Sequence, residues 1–209
     1  RLNLINTLPT YEEFQKVAES GRVVALTSTI YFDRESAISL ANRFVDEEHF
    51  FLLESATAGP GGIARFSFLG FDPLWSFSYH RDQSIKVQVE GRDKPFERPL
   101  ESHALQMLES FAESFKLSIA GENRQLIDGF DLASMGGAVG YCSYDLSRDF
   151  EPTVGEIPPA QVEMPAMYYY LPRNFLILDQ LTRKTLWKAN TLPLNISARI
   201  APALKRGGI

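Results

Sequence analysis

The chain has 209 residues, of which 44% are hydrophobic and 22% charged, and its formal net charge is −5. That length buries a real core without staples, and an acidic balance with no basic cluster argues against nucleic acid or an anionic membrane as partner. The one cysteine, Cys142, excludes an intrachain disulfide, and no apolar run reaches spanning length, so a soluble, cytoplasmic protein is expected.

In chain order, Thr10-Tyr-Glu-Glu13 is a capping box ahead of Phe14, Val17 and Ala18 at helical spacing, which predicts a short first helix ended by Gly21. Val23 to Thr27 is a short run of β-formers. Asp33 then stands where it would cap a second helix with an apolar face of Ala37, Leu40, Ala41, Phe44 and Val45. Phe50 to Leu53 reads as a strand that enters the core and then presents Glu54 and Ser55, an acid and a hydroxyl that packing does not need. The loop Gly59-Pro-Gly-Gly62 has the backbone freedom of an open connection. It returns to Arg65, the nearest cation in this stretch to offset Glu54, before a strand from Phe66 to Leu69 that stops at Gly70.

Leu74 to Tyr79 and Ile85 to Val89 alternate as two strands of a hairpin turned by Arg81-Asp-Gln-Ser84, and Gly91 to Pro99 reads as a charged loop. From Leu100 a longer helix carries Ala104, Leu105, Leu108, Phe111, Ala112 and Phe115 on one stripe. His103, a solitary histidine off that stripe, is given no role. Gly136, Gly137 and Gly140 have neither GxGxxG nor GxxxxGK[ST] spacing, so a phosphate loop is disfavoured. They fit better a strand that bends sharply or lets another backbone pass close over it, with Cys142 packed within it and no histidine in the segment to activate it.

Phe150 to Ala160, with three prolines, predicts an extended connector. Met167 to Leu171 and Phe175 to Leu178 read as strands joined by a tight turn at Pro172-Arg-Asn174, and Asp179 to Lys184 as a second turn before Thr185 to Ala189. Tyr168, Tyr169 and Tyr170 are adjacent on a strand and so cannot form one stacking shelf. The expected class is α+β, antiparallel β-sheets packed as a sandwich with helices on the outside, since strands and helices do not alternate as a parallel sheet requires.

Two segments carry a family resemblance. Leu52-Leu-Glu-Ser55 with Arg65-Phe-Ser-Phe-Leu-Gly70 resembles the N-terminal signature of anthranilate synthase component I, of which aminodeoxychorismate synthase component I carries a related version; Gly136-Gly-Ala-Val-Gly-Tyr-Cys-Ser-Tyr-Asp145 resembles a second stretch of the same domain. A third and less specific pattern makes Asp179 the family's aspartate. The resemblance implies a regulatory N-terminal domain over residues 1–195 and the start of a linker at residues 196–209. It also implies that this fragment is inactive alone, because chorismate, magnesium and the acid and base groups belong to a C-terminal chorismate-binding domain. No cofactor is expected in the fragment itself.

The implied partners are that domain, a glutamine amidotransferase subunit, and tryptophan as feedback effector bound by Leu53, Glu54, Ser55 and Arg65. In this sketch Glu54 faces the ligand ammonium, Ser55 bonds its polar end, and Arg65 holds the loop or meets the carboxylate. The implied reaction converts chorismate and glutamine-derived ammonia to anthranilate and pyruvate. The loop between Ser55 and Arg65 is chargeless where relatives often carry acidic or polar residues, which keeps the aminodeoxychorismate branch open; a stand-alone small-molecule-binding module is the reading of another class.

Overall fold

A computed structural model describes residues 5–19, 23–31, 36–54, 65–91, 96–99, 103–113, 117–118, 137–151, 153, 155 and 162–191. The chain divides into two compact units. Unit 1 takes residues 1–73, 117–136 and 172–194, and unit 2 takes residues 74–116, 137–171 and 195–209.

In unit 1, strand β1 (Ile5–Leu8), helix α1 (Tyr11–Glu19), strand β2 (Val23–Tyr31) and the short helix α2 (Ala37–Ala41) precede β3 (Phe50–Glu54). The capping box of α1 forms as its spacing requires: Glu13 Oε2 accepts the Thr10 N–H at 2.9 Å, and Thr10 Oγ1 accepts the Glu13 N–H at 3.4 Å. Asp33 lies outside the described residues. The cap of α2 is Ser36, whose side chain accepts from Ser39 N while Ser39 Oγ accepts from Ser36 N, and the helix stops at Ala41, before the expected Phe44 and Val45.

Three further strands complete this unit: the first part of β4 (Phe66–Tyr79), the second part of β9 (Met167–Asp179), and β10 (Lys184–Thr191). The hydrogen-bonded order is β1-β2-β10-β9-β4-β3, with every pair registered here antiparallel, and the open sheet gives the α+β class expected. A two-residue strand β7 (Leu117–Ser118) adds a parallel pairing to β2. One face of the sheet meets α2 through Leu69, Leu176 and Leu178 against Ala37, Leu40 and Ala41. Phe175, Ile177 and Leu186 gather Phe51, Phe66 and Phe68 in a separate cluster.

Two expected breaks are absent. Gly70 does not end its strand, and Pro172-Arg-Asn174 is not a turn, because β4 runs for 14 residues and β9 for 13. The tertiary partners explain this. Gly70 leaves room for the Phe51 ring, which would stand 2.4 Å from a Cβ there. Asp72 takes up the local irregularity at φ 59 and accepts from Arg173 Nε at 2.7 Å. The Pro172 carbonyl accepts from Asn190 Nδ2 at 2.7 Å, and Asn174 pairs with Ala189, so the segment is held extended from the neighbouring strand.

In unit 2, the second part of β4 pairs with β5 (Ser84–Val89) and β5 with β6 (Phe96–Pro99), a strand where a loop was expected. Helix α3 (Ala104–Glu113) buries Ala104, Met107 and Phe111, and Phe111 lies edge-on to Trp75 at 5.0 Å. Leu105, expected on that stripe, is exposed. Strand β8 (Val139–Cys142) pairs with the first part of β9, and a single 3-10 turn (Tyr144–Leu146) leads into α4 (Ser147–Phe150).

Gly140 is where the other backbone passes: a Cβ there would lie 1.9 Å from the Tyr168 carbonyl oxygen. Cys142 is exposed and not packed as expected, since strand alternation turns it outward; its Sγ lies 3.5 Å from Tyr169 Oη. Most of the expected connector, with residues 196–209, lies outside the described residues.

Candidate functional site

Residues of the first motif segment and Asp179 meet at one end of unit 1, where β3 stops, β4 starts and β9 turns into β10. Arg65 donates to Asp179 through Nε (3.0 Å to Oδ1) and Nη2 (2.7 Å to Oδ2), a bidentate pair between residues 114 positions apart in sequence. The Asp179 side chain is fully buried, and its remaining lone pairs accept from Leu181 N, Thr182 N and Thr182 Oγ1. The Arg65 guanidinium, aided by Thr182 and Leu181, holds the Asp179 carboxyl well below the usual carboxylate range against the opposing effect of burial. Arg65 also lies over the Phe66 ring at 4.8 Å, and its carbonyl accepts from Gln180 N at 2.7 Å.

Glu54 is placed differently from the expectation. Its counterpart is not Arg65, which Asp179 occupies, but the Ser67 hydroxyl, which donates to Glu54 Oε1 at 3.4 Å and accepts from Gln180 Nε2 at 3.2 Å. Glu54 pairs with Ser67 across β3 and β4, so the two side chains share a sheet face. The result is a relay, Gln180 to Ser67 to Glu54, beside the Arg65–Asp179 pair. Leu53 is half exposed and Glu54 exposed, while Ser55 lies outside the described residues.

Of the four expected site residues, Glu54 and Arg65 are thus brought to one end of the unit by different partners. Ser67 and Gln180 were missed as members; the sign in the sequence was a lone hydroxyl between Phe66 and Phe68, in a strand otherwise filled by apolar residues.

What the arrangement offers is an exposed carboxylate at a strand tip, oriented by a buried hydroxyl and braced by an ion pair. Such a group suits an ammonium ligand. Among the described residues no group of three His, Cys, Asp or Glu is placed to hold a metal ion, and no helix is long and apolar enough to cross a membrane.

No protein-family model matches the chain. Curated relatives do. Anthranilate synthase component 1 of Acetivibrio thermocellus is 28% identical over 176 residues, 84% of this chain and 33% of the relative. That of Synechocystis is 28% identical over 84% of this chain and 32% of the relative, and that of Saccharomyces cerevisiae 30% identical over 66% and 23%. A solved structure, anthranilate synthase component I of Streptococcus pneumoniae, aligns at 20% identity with a TM-score of 0.41 over 86% of this chain and 36% of that one. The chain spans about a third of the length of the first of these relatives. The expected resemblance is borne out: over most of its length this chain is similar to anthranilate synthase component I.

Proposed function

We propose that the chain is the N-terminal regulatory portion, over residues 1–195, of an anthranilate-synthase-type enzyme, with residues 196–209 leading to a chorismate-binding catalytic domain. The observation that carries the reading is the run of relatives, all anthranilate synthase component 1, that match across most of this chain but only a third or less of their own length. The whole protein would convert chorismate and ammonia from a glutamine amidotransferase subunit to anthranilate and pyruvate, with magnesium held in the catalytic domain.

Tryptophan is the proposed effector, with Leu53, Glu54 and Ser55 at its seat and Glu54 facing its ammonium. The bidentate bond to Asp179 favours the holding role for Arg65 over contact with the ligand carboxylate: it fixes the returning end of the loop to the β9–β10 turn. Inhibition then requires that tryptophan bind more tightly to an arrangement unable to turn over chorismate. Calorimetry on the full-length protein tests this. Tryptophan binding that is lost in Glu54→Ala and in Ser55→Ala supports the reading. Absence of binding to the wild type removes the effector and favours the aminodeoxychorismate branch.

A further inference from the structure

Ser67 stands in β4 between Phe66 and Phe68, only 3% exposed, on the sheet face it shares with Leu52, Leu69 and Glu54. A hydroxyl buried beside apolar side chains costs stability unless it is hydrogen-bonded, and packing alone does not call for one. Its bonds leave one assignment of protons. A carboxylate only accepts, so the Ser67 proton points at Glu54 Oε1 at 3.4 Å, and its lone pairs take the Gln180 Nε2 donor at 3.2 Å.

Gln180 is itself fixed. Its backbone N–H donates to the Arg65 carbonyl at 2.7 Å, and it follows Asp179, which the Arg65 guanidinium grips through two bonds. The β9–β10 corner thus places an amide, the amide directs a hydroxyl, and the hydroxyl holds one oxygen of Glu54. Among the described residues the second oxygen, Oε2, makes no hydrogen bond. Gln180 bonds Ser67 and not Glu54, so its influence passes through the hydroxyl.

We propose that Ser67 and Gln180 are positioning residues of the effector seat, holding Glu54 Oε1 so that Oε2 is presented to the ammonium of a bound amino acid. The inference rests on the effector reading given above and adds the residues that tune its affinity for that ammonium. The physical ground is preorganisation. An exposed glutamate loses rotamer freedom when it binds a cation, and a side chain already held in place loses less.

The test is the tryptophan dissociation constant of the full-length protein, measured by calorimetry in Ser67→Thr and Ser67→Val. The two replacements have nearly the same shape and only the first keeps a hydroxyl, so packing changes cancel between them. Ser67→Val is expected to bind about tenfold more weakly than Ser67→Thr, the scale of one hydrogen bond to a charged group. Gln180→Met, at a partly exposed position, should weaken binding about threefold. Adding it to Ser67→Val should cost nothing further, because the amide acts through the hydroxyl.

With binding still lost in Glu54→Ala, three results would overturn this proposal alone: equal affinities of Ser67→Thr and Ser67→Val, unchanged affinity in Gln180→Met, or losses that add in the double variant. No tryptophan binding by the wild type, or binding unchanged in Glu54→Ala, would overturn the effector reading and this inference with it.

Discussion

Replacing Arg65 by alanine strips a fully buried carboxylate of two charge-assisted hydrogen bonds, at 3.0 and 2.7 Å, and of its one cationic partner among the described residues. Breaking a buried pair from one side costs about 3–5 kcal/mol, because the abandoned charge remains out of water. Asp179 keeps three donors from Leu181 and Thr182, so the lower end is expected, about 3 kcal/mol. Equilibrium urea denaturation of wild type and variant measures it. Arg65→Lys should recover less than half of the loss, since an ammonium cannot reproduce the two-pronged geometry.

In an Asp179→Asn background the Arg65→Ala cost should shrink sharply, because no buried charge is left behind. The pH dependence has a definite sign. The Asp179 carboxyl is depressed in the folded state, so its stabilisation is complete above the unfolded value near about 3.9 and is lost as pH falls from there toward the folded value. The wild type should therefore lose stability below about pH 4 more steeply than Arg65→Ala. A loss under about 1 kcal/mol, the range of an exposed ion pair, would refute the claim that this pair is buried and holds the loop end.

Lys188 is fully buried on β10 between Phe175 and Thr27, and burial lowers its pKa to about 7. Between that value and an unfolded value of about 10.4 the folded chain holds fewer protons than the unfolded one, so stability rises with pH over this window by on the order of 4 kcal/mol. Lys188→Met should flatten that slope in thermal melts between pH 7 and 10, and an unchanged slope would assign it to another group. Gly140→Ala should cost more than Gly70→Ala in the same urea assay, because the first drives a Cβ into the Tyr168 backbone and the second into the movable end of the Phe51 ring. About 1–3 kcal/mol is expected for Gly70→Ala, and the reverse order would contradict the packing described. Ser36→Ala removes the cap of α2 and should cost about 1 kcal/mol, read from the same denaturation curves.

What was legible in the sequence was local. The α1 capping box, the β4–β5 turn, the turn after Asp179 and the close backbone passage at Gly140 each depend on residues near one another in the chain, or on the absence of a side chain, and each was read correctly. The motif pairs that resemble anthranilate synthase component I also stand in the sequence as strings of residues.

The tertiary structure decided the rest, because the deciding partners are far away along the chain. Glycine and proline signalled breaks at Gly70 and Pro172, yet a ring from β3 and an amide from β10 keep both strands running. Arg65 stands eleven residues after Glu54 and looked like its counter-charge, but the sheet order sets the arginine beside a buried carboxylate 114 residues onward and gives Glu54 a hydroxyl instead. Residue types declare which charges need partners; only the folded sheet, by fixing which strand ends are neighbours, chooses among the candidates.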